Sequence, residues 1–290
     1  MSQSEVGALR KVLLKRPAEA YGSHEAIDAQ WEGLNYAAAP DLERASDQYA
    51  RFVDILEAAG VECHFLPQDD GTGLDSIYTR DASVSCERGV ILANMGKPAR
   101  EREPNAQRAA LEALDVPIVG AIEAEGRLEG GDVVWLGPRT IAVGCGYRTN
   151  KAGIDQLRAL LSDSIDELLF VPLPHWRGPS DVFHLMSILS PIDTDLALVY
   201  SPLLPVLFRQ GLLERGIELV EVPDEEFESM GCNVLAVAPR TCVALAGNPV
   251  TRDRLEAAGA TVHVYEGSEI SVKGAGGPTC LTRPLVREPG

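Results

Sequence analysis

One phrase recurs five times along the 290 residues: a helical stretch, a turn, then a short strand. Val61, Val116, Leu168, Ile217 and Thr261 stand at equivalent places in the five copies, with steps of 55, 52, 49 and 44 residues. A period of this length marks stacked supersecondary units, none of which can bury its apolar face alone. Three of the junctions carry glycine, at Gly60, Gly216 and Gly259. Glycine just past a helix end enters the left-handed region without steric cost and closes the last turn.

The text before each junction is also alike. Residues 41–59, 105–114, 150–162, 205–215 and 249–258 have apolar residues three and four apart, which predicts amphipathic helices. Four of these helices follow two apolar runs separated by a turn. The runs pair as 82–86 with 90–95, 133–136 with 140–143, 184–189 with 196–200, and 233–238 with 241–245. Each unit therefore reads strand-strand-helix-strand. Five units occupy nearly the whole chain, so one domain over 1–290 is expected, with no linker or second domain. Helix-turn-strand junctions are common, and one match would mean little. Five in register, with four similar hairpins, predict a closed α/β ring in which every wedge buries both flanks. Such a ring brings one strand end per wedge to a shared central opening.

Charge restricts what that opening can receive. The chain has 43 acidic and 26 basic residues, a formal net charge of −17 and a pI near 4.7. Phosphate backbones and anionic lipid are repelled, so nucleic acid and membrane partners are not expected, whereas a small cation is welcome. No apolar run reaches the ~18 residues of a spanning helix. Residues 1–10 carry no apolar leader, so the cytoplasm is the expected location. The six cysteines (63, 86, 145, 232, 242, 280) form no C-x-x-C pair and no cluster with histidine at zinc spacing. No metal or cofactor is expected, and most of the thiols should be small buried apolar groups.

Polar residues interrupt the apolar pattern where the hairpins begin. They are Thr79-Arg80-Asp81, Leu128-Glu129-Gly130-Gly131-Asp132, Asp181-Val182-Phe183-His184 and, in the closing segment, Gly276-Gly277-Pro278-Thr279-Cys280. Singly, each has an ordinary explanation: a turn cysteine, a satisfied core histidine, a surface ion pair between Arg80 and Asp81. Two glycines between two acids are harder to explain without a close polar approach. Together the set offers a thiol, an imidazole and several carboxylates. Thiol plus imidazole is a nucleophile and a proton carrier. Carboxylates beside them would oppose an oxyanion but suit a guanidinium, whose N–H fork matches a carboxylate while its carbon stays open to attack.

These motifs resemble the guanidino-group-modifying (pentein) superfamily, which includes dimethylargininase, arginine deiminase and arginine:glycine amidinotransferase. Leu-Glu-Gly-Gly-Asp, Phe-His-Leu-Met-Ser and the terminal Gly-Gly-Pro-Thr-Cys-Leu-Thr-Arg-Pro-Leu carry the resemblance, which runs from about Val12 to Val286. It implies a five-bladed α/β propeller of ββαβ units. It also implies Cys280 as nucleophile, through a covalent thiouronium, and His184 as proton carrier. Glu129 and Asp81 would bind guanidinium nitrogen. Asp75 would meet the α-amine side of the substrate, and Arg100 and Arg148 would clamp its carboxylate; Asp132 is a further substrate-binding candidate. The alternative for either arginine is a solvated surface side chain.

Two departures bear on the substrate. Arginine deiminases carry an aspartate where this chain has Met186, and the lost carboxylate leaves apolar room for N-methyl groups. Dimethylargininases have Glu-Asp where this chain has Arg80-Asp81, a form closer to the deiminases. The expectation is a dimethylargininase-type hydrolase, with arginine deiminase and then amidino transfer as alternatives, and a non-catalytic binding protein on the same scaffold as the rival class. The meaning of Asp181 stays open, Cys232 is expected to pack, and a homodimer is entertained as the assembled form.

Overall fold

In the computed structural model, which describes residues 3–181 and 183–288, the repeat becomes five three-stranded sheets arranged as blades of a ring. Blade two holds Ser83–Cys86, Gly89–Leu92 and Ile118–Ala121; blade three holds Val133–Gly137, Thr140–Cys145 and Glu167–Pro172. Blade four holds Leu189–Asp193, Leu196–Val199 and Glu218–Glu221, and blade five holds Leu235–Ala238, Thr241–Leu245 and Thr261–Tyr265. In each, the first two strands form an antiparallel hairpin. The third returns through a helix and lies parallel to the second.

Blade one is built from both ends of the chain. Arg283–Arg287 pairs antiparallel with Leu9–Leu14, which pairs parallel with Glu62–Phe65. The missing fifth hairpin is thus assembled from distant segments, and its hydrogen bonds close the ring. The result is a five-bladed α/β propeller.

Local chemistry sets the helix limits. Asp41 accepts the Arg44 N–H at 2.8 Å and starts the helix Leu42–Ala58; Asn150 accepts the Gly153 N–H at 2.9 Å and starts Lys151–Leu160. The remaining crossover helices are Glu103–Ala113, Val206–Glu214 and Pro249–Ala257. Gly60, Gly216 and Gly259 have φ of 79°, 76° and 86°. Asp115 takes the same left-handed conformation in blade two, at 54°.

The helix of blade one buries Ala45, Tyr49, Phe52 and Leu56, one stripe at three- and four-residue spacing. Burying each large member of such a stripe contributes about 1.5–3 kcal/mol. The apolar clusters straddle neighbouring blades: Leu9 and Val12 meet Leu235 and Val243, while Val84 and Ile91 meet Ile141 and Val143. The core is therefore a belt between wedges, which leaves the strand entrances at the axis free for polar residues. Among the described residues no helix is long and apolar enough to cross a membrane.

Candidate active site

Every blade sends one polar residue to the axis from the segment just before its first hairpin strand. They are Asp81, Glu129, His184, Asn233 and Cys280, from blades two, three, four, five and one in turn. Ligand atoms of Asp81, Glu129 and His184 all lie within 4.8 Å of one another. His184, Asn233 and Cys280 line one cavity of about 240 Å³, together with Met186, Phe183, Trp176 and Phe227.

The apolar run 184–189 does not form a strand from its first residue. The backbone N–H of His184 donates to Ser187 Oγ at 3.1 Å, and that of Leu185 donates to Asp132 Oδ1 at 2.9 Å. With these donors taken by side chains, Leu185–Ser187 curls into a 3₁₀ turn and the strand starts at Leu189. The turn aims His184 inward. Val182, part of the same sequence motif, lies outside the described residues.

Glu129 is fully buried and anchors the site. Its Oε1 accepts the backbone N–H groups of Gly96 and Lys97 at 2.9 and 3.0 Å. Its Oε2 meets His184 Nε2 at 2.7 Å and Arg148 Nη1 at 3.0 Å. Burial alone would raise this carboxyl; the hydrogen bond and charge of His184, with Arg148 and Arg100, hold it well below the usual range. For His184, burial works against the imidazolium, but Asp81, Asp132 and Glu129 outweigh it and push the pKa up to about 9.

The Gly-Gly pair has a steric reason. A Cβ on Gly130 would lie 2.2 Å from the Arg80 carbonyl oxygen, and one on Gly131 would lie 2.8 Å from both Asp81 Oδ1 and the His184 ring. Without side chains the loop passes between acid and imidazole, and the Gly131 N–H donates to Asp81 Oδ1 at 3.0 Å.

Cys280 is half-buried, and its sulfur accepts from Asn233 Nδ2 at 3.4 Å. Asn233 Oδ1 in turn accepts from Thr279 N and Oγ1, at 3.0 and 2.9 Å. Burial, then Asp81, pushes the thiol above its ordinary value, against hydrogen bonds from Thr279, Asn233 and Gly277. Asn233 is a site residue that the motif reading missed. The available signal was positional, since it occupies in blade five the place that Glu129 and His184 occupy in theirs.

Four expected substrate contacts are engaged with protein partners. Arg100 and Arg148 are buried rather than solvated, and neither lines the cavity. Arg100 reaches Asp81 Oδ2 at 2.6 Å, Glu103 through Nε and Nη2 at 2.9 and 2.8 Å, and the Tyr78 carbonyl at 2.9 Å. Its donors are taken by protein carboxylates, as are those that Arg148 gives to Glu129. Asp75 is buried in an ion pair with Lys97 at 2.6 Å. Asp132 sits fully buried behind His184, where it fixes the turn; burial pushes its carboxyl up to about 6. Arg80 and Asp81 are no surface pair: both are buried, and Arg80 turns away to Glu5 at 2.7 Å. Asp181 lines the cavity. Cys232 is buried in the apolar cluster of blades four and five and also touches the cavity.

The arrangement holds a thiol and an imidazolium on one cavity, with carboxylates behind them. The arginine deiminase family model matches residues 75–207 and 202–287, which spans every axial residue named above. An arginine deiminase of Mycobacterium avium is 27% identical over 333 aligned positions, covering 94% of this chain and 79% of its own. Among solved structures, DDAH from Pseudomonas aeruginosa, in complex with citrulline, superposes with a TM-score of 0.76 at 21% identity, covering 95% of this chain and 98% of that one. SxtG, an amidinotransferase from Microseira wollei, reaches 0.81 at 17% identity over 99% and 97% of the two chains. The chain belongs to the arginine deiminase family, within the guanidino-group-modifying superfamily.

Proposed function

We propose that this protein is a cofactor-free cysteine hydrolase that cleaves a C–N bond of an arginine-like guanidinium and leaves a citrulline-type ureido product. Family membership and relatives support guanidino-group hydrolysis of an arginine-like substrate. The observation that carries the finer reading is the sharing of one cavity by Cys280 and His184, with His184 held by Glu129.

Acceptor capacity suggests how the cation is held. A carboxylate offers about four lone-pair sites. Glu129 already receives two backbone N–H groups, Arg148 and His184, whereas Asp81 receives the Gly131 N–H and Arg100. Asp81 is the carboxylate with room for a substrate N–H, and Glu129 adds negative charge while orienting the imidazole. Arg148 acts by keeping Glu129 ionised, Arg100 by holding Asp81 in place, and Asp132 by fixing the His184 turn. Arg100, Arg148 and Asp75 each already hold a protein partner: Asp81 with Glu103, Glu129, and Lys97 in turn.

The free thiol is held protonated by burial and by Asp81. A guanidinium bound against Asp81 cancels that charge and favours the thiolate, the thiol proton leaving to solvent because His184 already carries its own. Sulfur then adds to the guanidinium carbon, and the C–N bond breaks as His184 gives its proton to the departing amine. The thiouronium on Cys280 is hydrolysed by a water that neutral His184 deprotonates; the C–S bond breaks, and the ureido product leaves. Because His184 must start protonated, kcat/KM is expected to fall as pH rises past about 9. Stability follows the same group. Its folded pKa lies above the ordinary value of about 6.5, so its contribution is complete below that pH and is lost as pH climbs through about 9. Thermal unfolding across pH 6–10 should show this decline in the wild type and a flatter profile in His184→Gln.

N-methylated arginine is the preferred substrate on this reading. Met186 stands on the cavity with Phe183, Trp176 and Phe227, an apolar wall suited to methyl groups. Arginine itself is the second reading, favoured by the Thr79-Arg80-Asp81 form and by the family match. Product analysis with arginine, N-methylarginine and dimethylarginine tests the order. Methylamine or dimethylamine release at the highest kcat/KM supports it. Ammonia from plain arginine at the highest efficiency reverses it, and transfer to an added amine in place of hydrolysis points to an amidinotransferase.

A further inference from the structure

Three arginines from both sides of the ring closure meet one small buried cavity. Arg80 is 1% exposed, Arg287 4% and Arg283 5%, and the cavity they line with Ser4, Glu5, Ser85 and Trp135 is about 10 Å³. Among the described residues Glu5 is the carboxylate paired with Arg80, its Oε2 accepting from Arg80 Nη2 at 2.7 Å. Arg283 Nη2 donates to the Arg80 carbonyl at 2.7 Å, and Arg287 gives Nη1 and Nη2 to the carbonyls of Gly7 and Ala236 at 2.7 and 2.9 Å. Carbonyl oxygens satisfy donors but supply no charge. Among the described residues Arg80 Nε and Nη1 and Arg283 Nε have no acceptor. The next acid, Asp81, already holds Arg100.

This is an unusual balance for an acidic chain. Buried donors are normally paired, and buried like charges repel strongly where water is excluded. Burial, then the neighbouring Arg80, pushes the Arg283 guanidinium well below its usual range, and burial brings Arg287 down to about 10. A negative charge inside the cavity removes both penalties at once. The void is close to one water-sized particle, which admits a monatomic anion and leaves no room for a tetrahedral oxyanion.

We propose that Arg80 and Arg283 form a buried binding site for a halide ion such as chloride, with Glu5 as the protein carboxylate that competes for the same guanidinium groups. Ser4, Glu5 and Trp135 also line a wider neighbouring cavity of about 220 Å³. The proposed site stands apart from the cavity that holds Cys280, since the two share no lining residue.

The test uses the full chain at fixed pH and ionic strength, with sodium gluconate exchanged stepwise for sodium chloride or bromide. A ligand that binds only the folded state raises Tm along a saturating curve. Such a curve is expected in the wild type, and Glu5→Gln, which removes a competing charge, should tighten halide binding about tenfold. Arg283→Met should abolish the dependence; if that variant does not fold, anomalous diffraction from bromide-grown crystals decides, with a peak expected between Arg80 and Arg283. A Tm indifferent to the anion in both wild type and Glu5→Gln would overturn the proposal. So would a bromide map with no peak there, or stabilisation by phosphate without stabilisation by either halide.

Discussion

Cys280→Ser is expected to reduce turnover of any guanidine substrate on the order of 10⁴-fold or more, the scale on which nucleophile removal acts in covalent hydrolases. The fold should survive the change. The sulfur is half-buried and makes only long contacts, to Asn233 Nδ2 at 3.4 Å and Thr279 Oγ1 at 3.9 Å, which a hydroxyl can also make. Substrate binding should also survive, because in the proposed mechanism Asp81 holds the cation and is untouched. The variant should therefore bind substrate by calorimetry while failing to turn it over. The same substitution at Cys232, whose thiol is buried among apolar side chains, should leave the chemistry intact. Equal losses from both serine variants would mean that Cys280 is one packing residue among several.

Glu129→Gln carries the second large effect, and it is a loss of stability as well as rate. Glu129 is the shared counter-charge of His184 and Arg148, at 2.7 and 3.0 Å, and is fully buried. Breaking a buried pair by neutralising one partner leaves the other charge without compensation and costs about 3–5 kcal/mol. The amide also ends the electrostatic support of the imidazolium, so the His184 pKa should drop and the high-pH limb of the rate profile should move to lower pH. Chemical denaturation measures the first effect. Adding Arg148→Met to the variant should restore part of the lost stability, since the orphaned guanidinium is then gone. A loss below about 1 kcal/mol, the scale of an exposed pair, would show that Glu129 is not the anchor described.

The ring was legible because its signals are local. Asp41 and Asn150 announce their helices by capping them within three residues, and Gly60, Gly216 and Gly259 mark the turns by their backbone conformation. Asp115 does the work of glycine in blade two, so no glycine signal exists there. Blade one was harder, because its hairpin joins residues 9–14 to 283–287 and no turn connects them.

In the site, the motif residues Asp81, Glu129, His184 and Cys280 were legible as polar breaks in apolar text. Their partners were not. That Arg100 holds Asp81 and that Arg148 holds Glu129 depends on contacts within one blade, 19 residues apart in each case, and that Asn233 touches Cys280 depends on a contact between blades five and one, 47 residues apart. A sequence shows an arginine but not which acid it will meet. The start of the blade-four hairpin failed because Ser187, within the run, and Asp132, from blade three, capture backbone donors that the apolar run alone assigned to a strand.

Rapid acid quench during turnover, followed by peptide mass spectrometry, addresses the covalent chemistry itself. The thiouronium mechanism predicts a substrate-derived amidino group on the peptide that contains Cys280 and on none of the other five cysteines. Steady turnover with an unmodified Cys280 peptide at every quench time, or an adduct on a different cysteine, would contradict it.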